Sequence, residues 1–333
     1  MRSSLQQAAV YCLLFVATHF VNKYVLSVLK FQFPTIFQGW QTLVGFLMLS
    51  LLVSTRHLPT LLDNTNRYDV ANWLPGMMFF VCSIYSGSKA LASLTIPVFL
   101  SLHNLVTVIL CTAQLAIYRQ LTSIYSYTML MMLVVSSILI GATDPDYHMD
   151  GYFWTCLHIL STGAYGIFTK ISRGRLKLSA HEKMYCNYLY SVIILAPSSY
   201  FLGDAVQAGR YPYLYFSKFY VGCIMSGVFG VFLALSNIKL IESNMDKADM
   251  AKISGISKLV TSVTSLLFFR STFTASHLLW ICVNHLAAIV CEDSSNIEEV
   301  PVLPSATVSN SSDKQHLTQQ NSMTREYIKV TVQ

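Results

Sequence analysis

Charged residues are scarce in this sequence. Asp, Glu, Lys and Arg make up 11% of its 333 residues, whereas a soluble domain carries about 25%. Hydrophobic residues make up 53%, and the mean hydropathy is +0.50. This composition excludes an ordinary soluble domain and indicates an integral membrane protein.

The sequence also lacks the patterns that accompany disulfide frameworks, bound metals and phosphate-binding loops. Its eight cysteines include no CxxC pair, and the histidines in or near apolar segments have no histidine partner at i+3 or i+4. No glycine-rich loop of the P-loop type occurs. We therefore expect the cysteines to be small buried apolar residues, and we expect no metal and no other cofactor. The net charge of +6 is dispersed between the apolar segments, which speaks against nucleic acid as a partner.

Long apolar segments, by contrast, are abundant. A spanning helix needs about 20 mostly apolar residues. Residues 293–333 are rich in Ser, Thr, Asn and Gln, and we predict that they form a disordered cytosolic tail. We predict an all-α membrane protein with ten transmembrane helices at 8–29, 33–53, 73–95, 97–118, 124–143, 151–171, 184–203, 215–240, 250–269 and 274–292.

Lys and Arg residues in or next to the loops predict the orientation. With the N-terminus in the cytosol, ten of them fall on the cytosolic side and three, Lys30, Arg210 and Arg270, on the other. Cytosolic loops of membrane proteins carry an excess of Lys and Arg. We therefore predict that both termini face the cytosol.

A weak internal repeat relates two parts of the chain. Lys23 and Lys170 stand at matched positions in NKYVLSVLKFQFPTIFQGWQ (22–41) and TKISRGRLKLSAHEKMYCNY (169–188). Counting from these lysines pairs Gln38 with Tyr185.

The repeat predicts two five-helix halves, 1–143 and 151–292. Five is an odd number, so the two halves must have opposite orientations in the membrane. Proteins built from inverted repeats place the substrate near the membrane midplane, between the halves. This organisation favours a carrier over an enzyme or a scaffold.

Lysines within the apolar segments indicate the charge of the ligand. Lys23, Lys89, Lys170, Lys239 and Lys258 lie within or at the ends of predicted spans, where acidic residues are nearly absent. A charge at the middle of a spanning helix costs at least about 2.5 kcal/mol. Lysines without acids predict a cavity for an anion, and snorkelling of the long side chains to the membrane surface is the alternative.

The ninth predicted span carries a stripe of hydroxyl groups. Ser254, Ser257, Thr261 and Thr264 are spaced by 3, 4 and 3 residues, which places them on one helix face with Lys258 beside them. A cation among hydroxyls suits phosphates and sugar hydroxyls. Hydrogen bonding between helices is the alternative.

Four segments carry a resemblance to a known family, namely FVNKYVL (20–26), NWLP (72–75), YSGSKALASLTIPVF (85–99) and HNLVTVIL (103–110). They resemble the nucleotide-sugar transporters of the drug/metabolite transporter superfamily, in the branch of the Golgi GDP-mannose transporters. The resemblance covers nearly all of residues 8–292. It implies ten helices, a location in the Golgi or in ER–Golgi intermediate membranes, and exchange of a cytosolic nucleotide sugar for a lumenal nucleoside monophosphate.

Two motifs of that family bear on the substrate. FYNN on the seventh helix, associated with sugar recognition, is matched here by Met184-Tyr185-Cys186-Asn187. GALNK on the ninth helix, associated with the nucleotide base, is matched by Ser254-Gly255-Ile256-Ser257-Lys258. In each matched segment, one asparagine of the family motif is replaced. Its amide could recognise mannose or guanine. We therefore expect a UDP-sugar such as UDP-N-acetylglucosamine, with GDP-mannose as the alternative.

The candidate site combines these matched residues with polar residues of other spans. We predict substrate contacts from Tyr185, Asn187, Ser254, Gly255, Ser257 and Lys258, and further cavity or gate residues at Asn22, Lys23, Gln41, Lys89, Asn104, Lys170 and Ser236.

Other interpretations stay open at this point. A carrier of another phosphorylated or organic anion would share the fold, and a non-transporting scaffold derived from a transporter would explain the altered motifs. An enzyme would need an acid/base or metal constellation in the spans, which the sequence lacks, so we predict no enzymatic activity. The expected partners are a nucleotide sugar, a nucleoside monophosphate and membrane lipid, and a homodimer is one alternative for the assembly.

Overall fold

The structure is a computed structural model that describes residues 2–55, 66–118, 124–213, 216–243, 247–269 and 271–291. These residues belong to one compact unit, Met1–Ile297, and the predicted tail at 293–333 lies outside them. The helices are α1 (Arg2–Lys23), a π-helix (Tyr24–Val28), α2 (Pro34–Ser54), α3 (Arg67–Asn72), α4 (Leu74–Ser93), α5 (Ile96–His103), α6 (Leu105–Tyr118), α7 (Ile124–Thr143), α8 (Met149–Ser172), α9 (Ala180–Phe201), α10 (Asp204–Ala208), α11 (Ser217–Glu242), α12 (Lys247–Phe268) and α13 (Ala275–Cys291).

The prediction of an all-α membrane protein is confirmed. The residues that the structure describes form helices and no named strand, and each of the ten predicted spans coincides with a long helix or with two consecutive helices. Among the residues that the structure describes, five stretches are long and apolar enough to cross a membrane, namely Leu5–Val28, Pro34–Ser54, Ile96–Ile117, Ile124–Thr143 and Ser217–Glu242. Ala275–Cys291 is apolar but shorter.

The long helices pack in a pattern that interleaves the two parts of the chain. α4 lies along α8, α1 lies along α11 and α12, and α2 lies along α9 and α11. α7 lies along α13, and α12 lies along α5. Each of these contacts joins a helix from the first 143 residues to a helix from the remainder. Cavities at the centre of the molecule are therefore walled by both parts.

Two irregularities interrupt spans that the sequence predicts to be continuous. The first span ends in the π-helix Tyr24–Val28. Within the fourth span, the backbone N–H of Asn104 donates to the carbonyl of Ser101 at 3.1 Å, three residues back rather than four. The turn at Asn104 separates α5 from α6. Interruptions of this kind occur mostly at functional sites.

Hydrogen bonds tie the two parts of the chain together at the face where α1 ends and α2 begins, which we call the far face. They run from Thr35 Oγ1 to Asp204 Oδ2 at 2.5 Å and from the Tyr211 hydroxyl to the carbonyl of Leu29.

Candidate functional site

A polar cavity of about 310 Å³ lies between α1, α2, α4, α5 and α8. Its volume falls in the range of small-molecule sites. None of the described residues that line it is acidic. Its polar lining consists of Thr18, His19, Asn22, Gln38, Gln41, Ser83, Ser88, His103 and His158, and its apolar lining includes Phe15, Leu26, Phe99 and Leu100. We call it the central cavity.

Amide side chains form one wall of the central cavity. Gln41 Nε2 donates to Asn22 Oδ1 at 2.9 Å, and the Ser226 hydroxyl donates to the same oxygen at 2.5 Å. The side-chain amide of Gln38 likewise donates a hydrogen bond to the hydroxyl of Ser88. Asn22 and Gln41, two of the predicted cavity residues, therefore lie in this wall. Through Ser226 of α11 the wall reaches the second part of the chain.

Imidazoles form another part of the cavity wall. His103 Nδ1 lies 3.1 Å from His158 Nε2, and His158 Nδ1 lies 2.9 Å from the carbonyl oxygen of Ser83. Gly87 allows this approach, since a Cβ added there would lie 2.8 Å from His158 Nδ1. The close contact between the ring and helix α4 therefore depends on a missing side chain.

Lys258 does not line the central cavity itself. It is connected to the cavity through one residue, Asn104. Its side chain is 9% exposed, and its ammonium donates to Asn104 Oδ1 at 3.0 Å. Asn104 follows His103 directly in the chain and donates in turn to Asn284 Oδ1 at 3.0 Å. Asn284 binds Ser136 and Ser137 on α7. Two predicted residues, Lys258 and Asn104, are thus brought together in one buried network across both parts of the chain.

The hydroxyl stripe of α12 bonds mostly to its own helix. Ser257 Oγ donates to the Ile253 carbonyl at 2.7 Å, and Thr261 Oγ1 donates to the Ser257 carbonyl at 2.6 Å. Hydroxyls bonded four residues back in this way are satisfied locally. Ser254 is half-buried and Gly255 is buried, and none of Ser254, Gly255 and Ser257 lines the central cavity.

The predicted residues of α9 lie elsewhere. Asn187 Oδ1 accepts a 3.0 Å hydrogen bond from Trp73 Nε1, and Asn187 Nδ2 donates to the Tyr165 hydroxyl at 3.0 Å. Tyr185 packs against Phe46, with 5.2 Å between ring centroids. Neither Tyr185 nor Asn187 lines the central cavity. The structure therefore does not bring them to one cavity with Lys258, and their role as substrate contacts stays a prediction.

The remaining lysines have different surroundings. Lys23 is 8% exposed, and its ammonium donates to the carbonyls of Leu91 at 2.8 Å and Leu94 at 2.6 Å, at the end of α4. Lys89 lines an adjoining cavity of about 230 Å³ together with Asp150. Lys170 and Lys239 are exposed, and Ser236 is half-buried.

Sequence reasoning missed the histidines of the cavity wall. His19, His103 and His158 come from three different helices, so a search for partners at i+3 or i+4 could not find them. A usable signal was present nevertheless. An imidazole inside an apolar span calls for a polar partner for the same reason that a lysine does.

A helical membrane protein with a cavity lined by amides, hydroxyls and imidazoles has the features of a carrier for polar or anionic solutes. No family model matches the chain. The UDP-N-acetylglucosamine transporter TMEM241 homolog of Xenopus laevis is 38% identical over 280 residues, which cover 84% of this chain and 93% of the relative. The UDP-N-acetylglucosamine transporter TMEM241 of Mus musculus is 39% identical over 264 residues, which cover 79% of this chain and 88% of the relative.

Two further comparisons are more distant. A GDP-mannose transporter of Chaetomium globosum is 22% identical over 303 residues, which cover 84% of this chain and 76% of the relative. A solved crystal structure with 11% sequence identity covers 90% of this chain and 100% of its own, with a TM-score of 0.57, which concerns the fold alone. The chain belongs to the nucleotide-sugar transporter family, with the TMEM241 proteins as near relatives, and the resemblance seen in the sequence is confirmed.

Proposed function

We propose that this protein carries UDP-N-acetylglucosamine across a Golgi membrane in exchange for UMP, by alternating access to the central cavity. The observation that carries the proposal is the 38–39% identity to relatives named for that substrate over most of both chains. The GDP-mannose transporter is matched at only 22%. The motifs around 184–187 and 254–258 lack amides that the GDP-mannose branch has, which favours a uridine nucleotide over a guanine nucleotide.

The chemistry of the central cavity supports a nucleotide sugar as the ligand. Amides can exchange hydrogen bonds with a base and with sugar hydroxyls, because each carries both donors and acceptors. Protonated imidazoles and the nearby ammonium of Lys258 suit phosphate oxygens. An amine or cationic drug would find no carboxylate among the residues that line this cavity.

The helix contacts support two inverted five-helix halves. A twofold relation would pair α1 with α8, α2 with α9, α4 with α11, α5 and α6 with α12, and α7 with α13. Under this pairing, the contact between α1 and α11 should have a counterpart between α8 and α4. Both contacts are present. The contacts of α2 with α11 and α9 with α4 correspond in the same way, and α1 with α12 corresponds to α8 with α6. This pattern is what an alternating carrier of ten spans requires.

The far-face hydrogen bonds support a gate. They join Thr35 to Asp204 and Leu29 to Tyr211, so they tie the first half to the second. Rocking of one half against the other would break them and open the cavity on that side. With both termini in the cytosol, the far face is lumenal. We expect exchange, since a bound anion then balances the ammonium of Lys258 beside the cavity in both directions of the cycle.

Uptake by reconstituted protein tests the proposal. Liposomes containing the purified protein are preloaded with UMP, and entry of radiolabelled UDP-N-acetylglucosamine is compared with entry of GDP-mannose and with liposomes lacking UMP. We expect entry of the UDP-sugar that depends on internal UMP. Entry of GDP-mannose alone would reassign the substrate. Folded protein that transports neither compound and is not thermally stabilised by any nucleotide would instead be a scaffold.

A further inference from the structure

The hydrogen-bond pattern of the two cavity histidines defines where their protons lie. The carbonyl oxygen of Ser83, 2.9 Å from His158 Nδ1, can only accept, so His158 Nδ1 carries the hydrogen. In a neutral ring His158 Nε2 is then an acceptor. It lies 3.1 Å from His103 Nδ1, which must donate to it. His103 Nε2 is consequently left with a lone pair and no proton.

This nitrogen is not fully enclosed by the protein. His103 Nε2 makes no hydrogen bond to any residue that the structure describes, and it is not among the enclosed polar atoms that lack a partner. His103 lines the central cavity. His19 repeats the arrangement, because its Nδ1 lies 2.8 Å from the carbonyl oxygen of Phe15 and must donate to it. The neutral cavity thus presents imidazole lone pairs, which repel phosphate oxygens.

The charges near the pair are mostly positive. Asp150 lines the adjoining cavity rather than the central one. Lys258 reaches the pair through Asn104, and His285 on α13 lies 3.2 Å from Ser101 on α5. The titratable and charged groups on the elements that pack around the pair include His19 and Lys23 on α1, Tyr85 and Lys89 on α4, Asp150 on α8, Lys258 on α12 and His285 on α13.

Building on the proposed function, we infer that the His103–His158 pair binds one proton together with the diphosphate of the nucleotide sugar. A proton from solvent adds to His103 Nε2 and turns this lone pair into an N–H donor for a phosphate oxygen. The resulting imidazolium keeps its Nδ1–H bond to His158, which is anchored on the Ser83 carbonyl. No covalent bond changes except the new N–H, and the proton leaves when the ligand leaves.

Calorimetric titration of the full-length protein with UDP-N-acetylglucosamine tests this inference. Its diphosphate bears no group that titrates between about pH 6 and 8, whereas a monophosphate such as UMP titrates near pH 6. The binding enthalpy in two buffers of different protonation enthalpy gives the number of protons taken up. We expect uptake of up to about one proton, and an affinity that rises by as much as about tenfold for each pH unit lowered.

Substitutions assign the proton to the pair. His103→Gln should still bind the nucleotide sugar, about tenfold more weakly at low pH, and should lose the proton uptake. His148→Gln, at an exposed histidine before α8, is the matched control and should behave as the wild type. Binding by the wild type without proton uptake would overturn the inference and leave the proposed function standing. Unchanged proton uptake in a folded His103→Gln protein would also overturn it, whereas absence of binding at every pH would contradict the proposed function itself.

Discussion

Lys258 of α12 is hydrogen-bonded to Asn104, at the turn between α5 and α6, with 3.0 Å between Nζ and Oδ1. This contact joins the first 143 residues of the chain to the remainder, next to the central cavity. The acceptor in this contact is a neutral amide and not a carboxylate. This hydrogen bond therefore does not neutralise the positive charge of Lys258 next to the cavity. A phosphate entering beside His103 would meet the ammonium at short range. The pair therefore links the candidate substrate site to the interruption of the fourth span.

Replacement of Lys258 by Met tests the ammonium directly. Met keeps the length of the side chain and removes the charge, so Lys258→Met should reduce uptake of UDP-N-acetylglucosamine by about 10- to 100-fold, the range for one lost charge-assisted hydrogen bond. Uptake into UMP-loaded liposomes is the measurement. The control is Lys239→Met, at an exposed lysine of α11. Full uptake by Lys258→Met, at equal amounts of reconstituted protein, would remove Lys258 from the site.

Lys23 is expected to act through stability rather than through substrate binding. Its ammonium binds two carbonyls in the last turn of α4, where helix ends leave acceptors unpaired. Lys23→Ala should lower stability by about 2 kcal/mol or more, measured as a fall in the thermal midpoint in detergent. Lys89→Ala, next to an open cavity, should change it much less. Loss of nucleotide binding by Lys23→Ala without a fall in the midpoint would contradict this role.

The sequence alone predicts the membrane class and most of the helices, because hydropathy and helix length are local properties. Asn22, Gln41, Lys258 and Asn104 were recognisable as polar groups in apolar surroundings, and the structure places each of them in or beside the central cavity. Pairings that join distant helices were not predictable from one sequence. The bond between His103 and His158, 55 residues apart, depends on how α5 packs against α8.

The family motif at Asn187 shows that a motif match can also assign a site residue that the structure does not place in the cavity. The resemblance implies a sugar contact there, yet Asn187 is 2% exposed and its amide is occupied by Trp73 and Tyr165. Sequence matching assigns a residue type to a position and does not report which neighbours occupy its hydrogen bonds. Because Asn187 is buried, a substrate could reach its amide only in a conformation that exposes this residue.

The Trp73–Asn187 bond should therefore contribute to stability in the unliganded protein. Asn187→Ala leaves the buried indole N–H without its acceptor, which should cost about 1–3 kcal/mol. Trp73→Phe removes the donor as well, so in the double variant the two effects should be less than additive by about 1 kcal/mol. Thermal midpoints of the four proteins give this coupling. Additive effects in the cycle would show that the bond contributes nothing, and a loss of transport with no loss of stability would favour the sugar contact.

Gly87 offers a way to disturb the imidazole wall without removing any polar group. Gly87→Ala places a methyl group 2.8 Å from the present position of His158 Nδ1, so the ring must move away from the Ser83 carbonyl. Uptake of the nucleotide sugar should fall by about tenfold, since His158 would no longer be anchored while His103 binds its proton. Gly230→Ala is the matched control, because the Cβ added there on α11 has no neighbouring atom within 4 Å apart from the adjacent residues and backbone of its own helix. Alanine is the better helix former, so this control should be neutral or more stable by up to about 1 kcal/mol. Equal uptake by the two alanine variants, both folded, would show that the anchored position of His158 has no part in transport.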